Sequence, residues 1–169
     1  MSKNRVTDGS VVKKLAGKDV LVYINYGEAA TYDAPKWCLI GGQKSGDLSL
    51  TADSIKADSK DSGGWGEVLP GLKSSELDME LVATVGDEGV EQLKLAFLEG
   101  EAVDICRFAT RSGTADRNFY SVTEYSDSTP HDDVVTVKVK MNGKGAPKFY
   151  SELKTVDDVK AATTPNTGV

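Results

Sequence analysis

The alternation of apolar and polar positions divides the chain into strands. In DLSLTADSIKADS (47–59), Leu48, Leu50 and Ala52 share one face, and Asp47, Ser49, Thr51 and Asp53 share the other. In ELDMELVATV (76–85), Leu77, Met79, Leu81, Ala83 and Val85 oppose Asp78 and Glu80. In DVVTVKVKM (133–141), Val135, Val137, Val139 and Met141 alternate with Thr136, Lys138 and Lys140. A period of two with one apolar and one polar side predicts strands with a buried face and a wet face. The continuous apolar run DVLVYIN (19–25) predicts a fully buried strand. KWCLIGG (36–42), AVDICRFAT (102–110), NFYSVTEYS (118–126) and KFYSEL (148–153) complete the set. YGEAATYDAP (26–35) reads as a loop, and RSGTADR (111–117) and NGKGAP (142–147) as turns.

One segment changes period. In DEGVEQLKLAFLEG (87–100), Val90, Leu93 and Phe97 follow helical spacing, supported by Leu98. Asp87 can cap the start of this helix and Gly100 can end it. About seven strands and one helix predict a mainly β fold, a β-sandwich or small barrel with a helix packed on its side.

Between the strands at 47–59 and 76–85 lies SKDSGGWGEVLPGLKSS (59–75), part of a predicted loop of about residues 55–75. A hairpin connection normally takes two to five residues, so a far longer one points to function or disorder. Trp65, Leu69 and Leu72 give this otherwise polar stretch an apolar anchor, while Gly63, Gly64, Gly66 and Gly71 let its backbone fit tightly. A catalytic loop, a linker and an assembly contact each explain it differently, and Trp65 could also fold back on its own domain.

The length, 169 residues, favours a single domain. Residues 1–18 are polar and basic, with Lys3, Arg5, Lys13, Lys14 and Lys18, and read as an arm ordered only by contact. Residues 157–169 are small and polar and are expected to be disordered, which leaves a domain over 19–156. Net charge is −6, from 26 acidic and 20 basic residues, and such a surface repels free DNA. It could still line a passage to which DNA must not stick. Cys38 and Cys106 sit in apolar surroundings and read as buried free thiols. MSKNRVTDGS has no secretory pattern and no run of about 20 apolar residues exists, so synthesis in a cytoplasm and no membrane are expected.

Candidate chemistry is sparse. The one histidine, His131 in STPHDD, reads as an exposed turn residue. No G-x-S-x-G, H-E-x-x-H or phosphate-binding glycine motif occurs. The acids around Asp53, Asp58 and Asp61 do not match a calcium loop, and no carboxylate pair stands out for glycoside cleavage. No enzyme, metal or cofactor is expected. The long loop, the arm, the tail and the two-faced strands suggest a protein that binds copies of itself.

The stretch LSLTADSIKADSKDSGGWGEVLPGLKSSELDMELVATVGDEGVEQLKLAFLEGEAVDI, with VTVKVKMNGKGAP (135–147) later, resembles the major tail protein family of long-tailed bacteriophages, the tail-tube subunits. The resemblance implies a β-sandwich with one flanking helix, six copies per ring, and stacked rings whose strands form a shared inner β-barrel. It implies a structural virion protein of the tail, made and assembled in the host bacterial cytoplasm, with DNA passing through the lumen without specific binding. Its implied partners are itself and the tape-measure, tail-tip and tail-terminator proteins. On this reading Trp65, Gly66, Leu69, Gly71 and Leu72 form an inter-subunit or inter-ring contact, and Asp47, Thr51, Asp53, Asp78 and Glu80 face the lumen. Lys138 and Lys140 complicate that lumen unless neighbouring acids pair with them. Two alternatives are a related type VI secretion tube protein and a β-sandwich module binding carbohydrate on a host surface; the latter requires an exposed aromatic cluster. A small hydrolase would be the enzyme-class alternative, and no nucleophile–base signature supports it.

Overall fold

The computed structural model describes residues 14–61 and 63–166. Most of the expected N-terminal arm, 1–13, lies outside the described residues; Lys14 to Gly17 at its end are exposed. The elements are β1 (Val20–Asn25), β2 (Trp37–Leu39), β3 (Gln43–Lys56), β4 (Val68–Val82), α1 (Glu88–Glu99), β5 (Ala102–Ala109), β6 (Thr114–Ser128), β7 (Thr136–Gly143) and β8 (Lys148–Tyr150), with single 3-10 turns at Gly17–Asp19 and Val156–Asp158. All strands belong to one antiparallel sheet in the order β2-β1-β5-β6-β7-β4-β3, and β8 pairs with β6 beside this path.

The sheet rolls until its distant members meet. The Gln43 side chain at the start of β3 accepts from Val22 N–H (3.0 Å) and donates to Val22 C=O (2.8 Å), so it pairs with β1 as a strand backbone would. Arg107 of β5 donates through Nε to Gly46 O at 3.0 Å, farther along the same seam. Gly42, at φ +66°, lets the chain turn into β3 against Val82, whose carbonyl a Cβ would strike.

Two cores result. The larger lies inside the roll and joins Val22, Ile24, Ile40, Leu77, Met79, Leu81, Ile105, Val137, Val139 and Met141 to the inner side of α1. The smaller lies on the opposite face of β1, β5 and β6 and contains Cys106, Phe108, Ala115, Tyr150 and Val159. β5 is therefore buried on both faces, and its sequence shows no alternation.

Helix α1 begins where its cap residue predicts. The Asp87 carboxylate accepts from Gly89 and Val90 N–H, and Gly100 ends the helix at φ 70°. Its buried stripe is Gly89, Val90, Leu93 and Ala96, whereas Phe97 and Leu98 point outward. The expected stripe is rotated by one position at its end because small Ala96 fits against the sheet, which leaves the larger Phe97 outside.

Three expected boundaries also move. RSGTADR is a turn only at its start, since Thr114 to Arg117 already pair with β5. Residues 157–166 are packed against the domain: Val159 is fully buried, Trp37 Nε1 donates to Val159 O (2.9 Å), and Asn166 N–H donates to Phe149 O (2.6 Å). A capping box between Thr155 and Asp158 fixes the turn that leads into this segment. The connection expected over about 55–75 shrinks to residues 57–67, because β3 and β4 continue pairing out to Lys56 and Val68.

Candidate assembly surfaces

That extended hairpin is the first surface feature. β4 pairs with β7 only from Glu76 to Val82, so residues 50–56 and 68–75 project past the sheet as a two-stranded arm held by their own ladder. One irregularity, between Ala52 and Ser54, places Gly71 and Leu72 opposite Asp53. A lone two-stranded ribbon is marginal in water. This one also exposes Trp65 (83%), Leu72 (80%) and Leu50 (61%), together with Ile55, Val68 and Leu69.

The predicted contact residues therefore divide between two settings. Leu69, Gly71 and Leu72 are on β4, and Trp65 and Gly66 are in the tip. The tip is held by Asp58, whose carboxylate accepts from Glu67 N–H at 3.2 Å, and by Ala57 N–H donating to Glu67 O. Trp65 does not fold back on its own domain.

The polar face of β3, β4, β7 and the end of β6 is the second feature. Register sets Asp47 beside Asp78, Asp78 beside Lys140, and Lys140 beside Glu124. The adjacent row runs Ser45, Glu80, Lys138, Ser126. Both lysines thus lie across from acids, the arrangement that relieves the charge conflict noted in the sequence. Glu80 also takes Lys44 Nζ at 2.9 Å; this hydrogen bond and charge lower the Glu80 pKa and raise that of Lys44. The pair is largely exposed and adds little stability. Of the five predicted lumen residues, Asp47, Asp78 and Glu80 come together on this face, while Thr51 and Asp53 are out on the arm, where Thr51 bonds Ser74 (2.7 Å).

A third feature was not anticipated. Arg117, 1% exposed, binds Asp104 through Nε (3.0 Å) and Nη2 (2.6 Å), and Nη2 also donates to Tyr32 O (2.9 Å). Its guanidinium lies 3.9 Å from the Tyr32 ring centroid and 4.9 Å from that of Trp37. Asn25 Nδ2 completes Asp104 at 2.9 Å. The cluster pins the 26–36 loop and the C-terminal segment to the sheet. It also half-buries Trp37 beside Arg117 and Val159, apart from Trp65 in the tip, so the two tryptophans do not form one exposed aromatic platform for a sugar. Cys38 is half-buried and Cys106 buried, both free, and burial pushes the Cys106 thiol up to about 12. His131 is exposed beside Asp132, and no metal-holding cluster of acids, His and Cys occurs among the described residues.

Comparison with known proteins decides the family. A model of the phage tail tube protein family matches residues 14–149, four-fifths of the chain. The chain belongs to the phage tail tube protein family. Solved structures show the same fold. The tail of an empty gene transfer agent particle superposes with a TM-score of 0.70 at 20% identity, covering 82% of this chain and 100% of that one. The SPP1 tail tube gives 0.70 at 17% identity, covering 86% and 84%. The sheath–tube complex of an extracellular contractile injection system gives 0.58 at 12% identity, covering 82% and 92%. A search of curated proteins by sequence finds no match. As a tail tube protein, the chain is a structural component of the virion tail. No helix among the described residues is long and apolar enough to cross a membrane.

Proposed function

We propose that six copies of this chain close into a ring, that rings stack into the tail tube, and that the arm of β3 and β4 makes the principal contact between copies. The observation that carries this reading is the arm itself: a ribbon that leaves Leu50, Leu72 and Trp65 exposed and, past Ser49 and Glu76, pairs with no further strand among the described residues. Covering such a ribbon with a neighbouring subunit removes both its apolar exposure and its free edge. The long outer edge of β3 offers backbone groups to the next copy, so that the rolled sheets join in one inner barrel.

Within that barrel the face carrying Asp47, Asp78, Glu80, Lys138 and Lys140 lines the lumen. The lysines stand across the ladder from Asp78, Glu80 and Glu124, so acids accompany them along the wall that DNA passes. The chain has no catalytic role. It assembles in the bacterial cytoplasm, with the tape-measure, tail-tip and terminator proteins of its family as partners.

Trp65→Ala tests the reading. A buried aromatic anchor contributes ~2 kcal/mol or more per contact. The variant is expected to fold with an unchanged Tm, since Trp65 touches little of its own domain, and to lose tube formation by electron microscopy. Normal tubes from Trp65→Ala would reject the arm contact.

A further inference from the structure

The flank of the arm carries an apolar groove of about 600 Å³, lined by Leu50, Ala52 and Leu72 on one side and Ala146 and Pro147 on the other. A second hollow adjoins it through Ala146 and contains Lys144, Lys148 and Arg117. With Lys73 the combined rim is cationic, and no carboxylate lines either hollow among the described residues. Arg117 Nη1 is buried there without a hydrogen-bond partner. An apolar slot bordered by Lys73, Lys144 and Lys148 fits an aromatic side chain flanked by carboxylates, whereas the Arg117 charge is already met by Asp104.

The same chain presents that combination. The tip carries Trp65 with Asp58, Asp61 and Glu67 against the single Lys60. Resting on the proposed arm contact, we infer that the tip of one copy docks in the groove of another: Trp65 enters the slot between Leu72 and Pro147, and the tip carboxylates face Lys73, Lys144 and Lys148. A copy cannot fill its own groove. The ladder continues from Ala52 and Lys73 to Lys56 and Val68, which carries the tip roughly 13 Å outward along paired strands. Folding back would break those pairs. Joining unlike surfaces is a heterologous contact, which closes into rings or propagates as a stack. The opposite charges also set the direction in which copies add.

Site-directed cross-linking tests this in assembled tubes. In a Cys38→Ser background, one chain carries Gly66→Cys at the tip and a second carries Ala146→Cys at the groove; a third, with Leu98→Cys on the outer side of α1, is the control. After mild oxidation of mixed tubes, the tip–groove disulfide dimer should exceed the tip–helix dimer at least tenfold. Equal yields, with Trp65→Ala still unable to assemble, overturn the groove as receptor while leaving the arm contact standing. Normal assembly by Trp65→Ala removes the anchor and overturns both.

Discussion

Arg117 and Asp104 show what a single pair holds in place. Two hydrogen bonds join them in a site closed by Tyr32, Trp37 and Asn25, so removing one partner strands a buried charge. Arg117→Met is expected to destabilise the monomer by ~3–5 kcal/mol in urea unfolding, and Asp104→Leu in the same chain to restore much of the loss. A loss below about 1 kcal/mol for the single variant would contradict the account. Nothing in the sequence marks this pair: Asp104 interrupts an apolar strand, Arg117 lies in a stretch with turn composition, and Tyr32 is 85 positions from Arg117. Cys106 gives a pH dependence at the same scale. Its thiol is held neutral up to about 12 when folded, against 9.0 ordinarily. A raised pKa contributes stability that is fully present below pH 9 and is lost as pH climbs towards 12, with a slope of about 1.4 kcal/mol per pH unit from this group. Cys106→Ala should unfold less steeply with pH over that window; an unchanged slope would show that the thiol ionises freely in the folded protein.

At the scale of elements, alternation located the strands and the change of period located α1, because each of those faces meets only one environment. Where an element meets two environments, the pattern loses its meaning. β5 is buried on both sides, and Ala96 is preferred to Phe97 at the helix contact because size decided what spacing left open. The C-terminal segment has the composition of a disordered tail, yet Val159 anchors it in the smaller core beside Trp37, and Asn166 ties its end to Phe149. The expected 55–75 connection is shorter for a different reason: Gly71 and Pro70 read as loop residues, but an edge ribbon tolerates both at an irregularity. If the arm serves assembly and not folding, replacing residues 52–73 with Asn-Gly should yield a monomer whose Tm lies within a few degrees of the parent and which forms no tubes. A chain that fails to fold would show instead that the ribbon supports the core.

The whole molecule combines a closed core with unfinished surfaces. The rolled sheet buries its apolar faces internally, sealed by Gln43 and plugged by α1, so the core closes within one copy. On the proposed function its outer strand edge, its arm and its charged sheet face gain their role among other copies. The sequence resemblance pointed to this architecture through the order of its elements around Trp65, and the match over 14–149 establishes the family. The direction in which each face looks is a property of the assembly and could be read from alternation only up to the choice of side.

Helical reconstruction by cryo-electron microscopy of tubes built from this chain tests the central claim. It should show six copies per ring, Trp65 buried in a neighbouring subunit, and Asp78, Glu80, Lys138 and Lys140 on the channel wall. Tubes in which the arm stays in solvent and that charged face looks outward would contradict it.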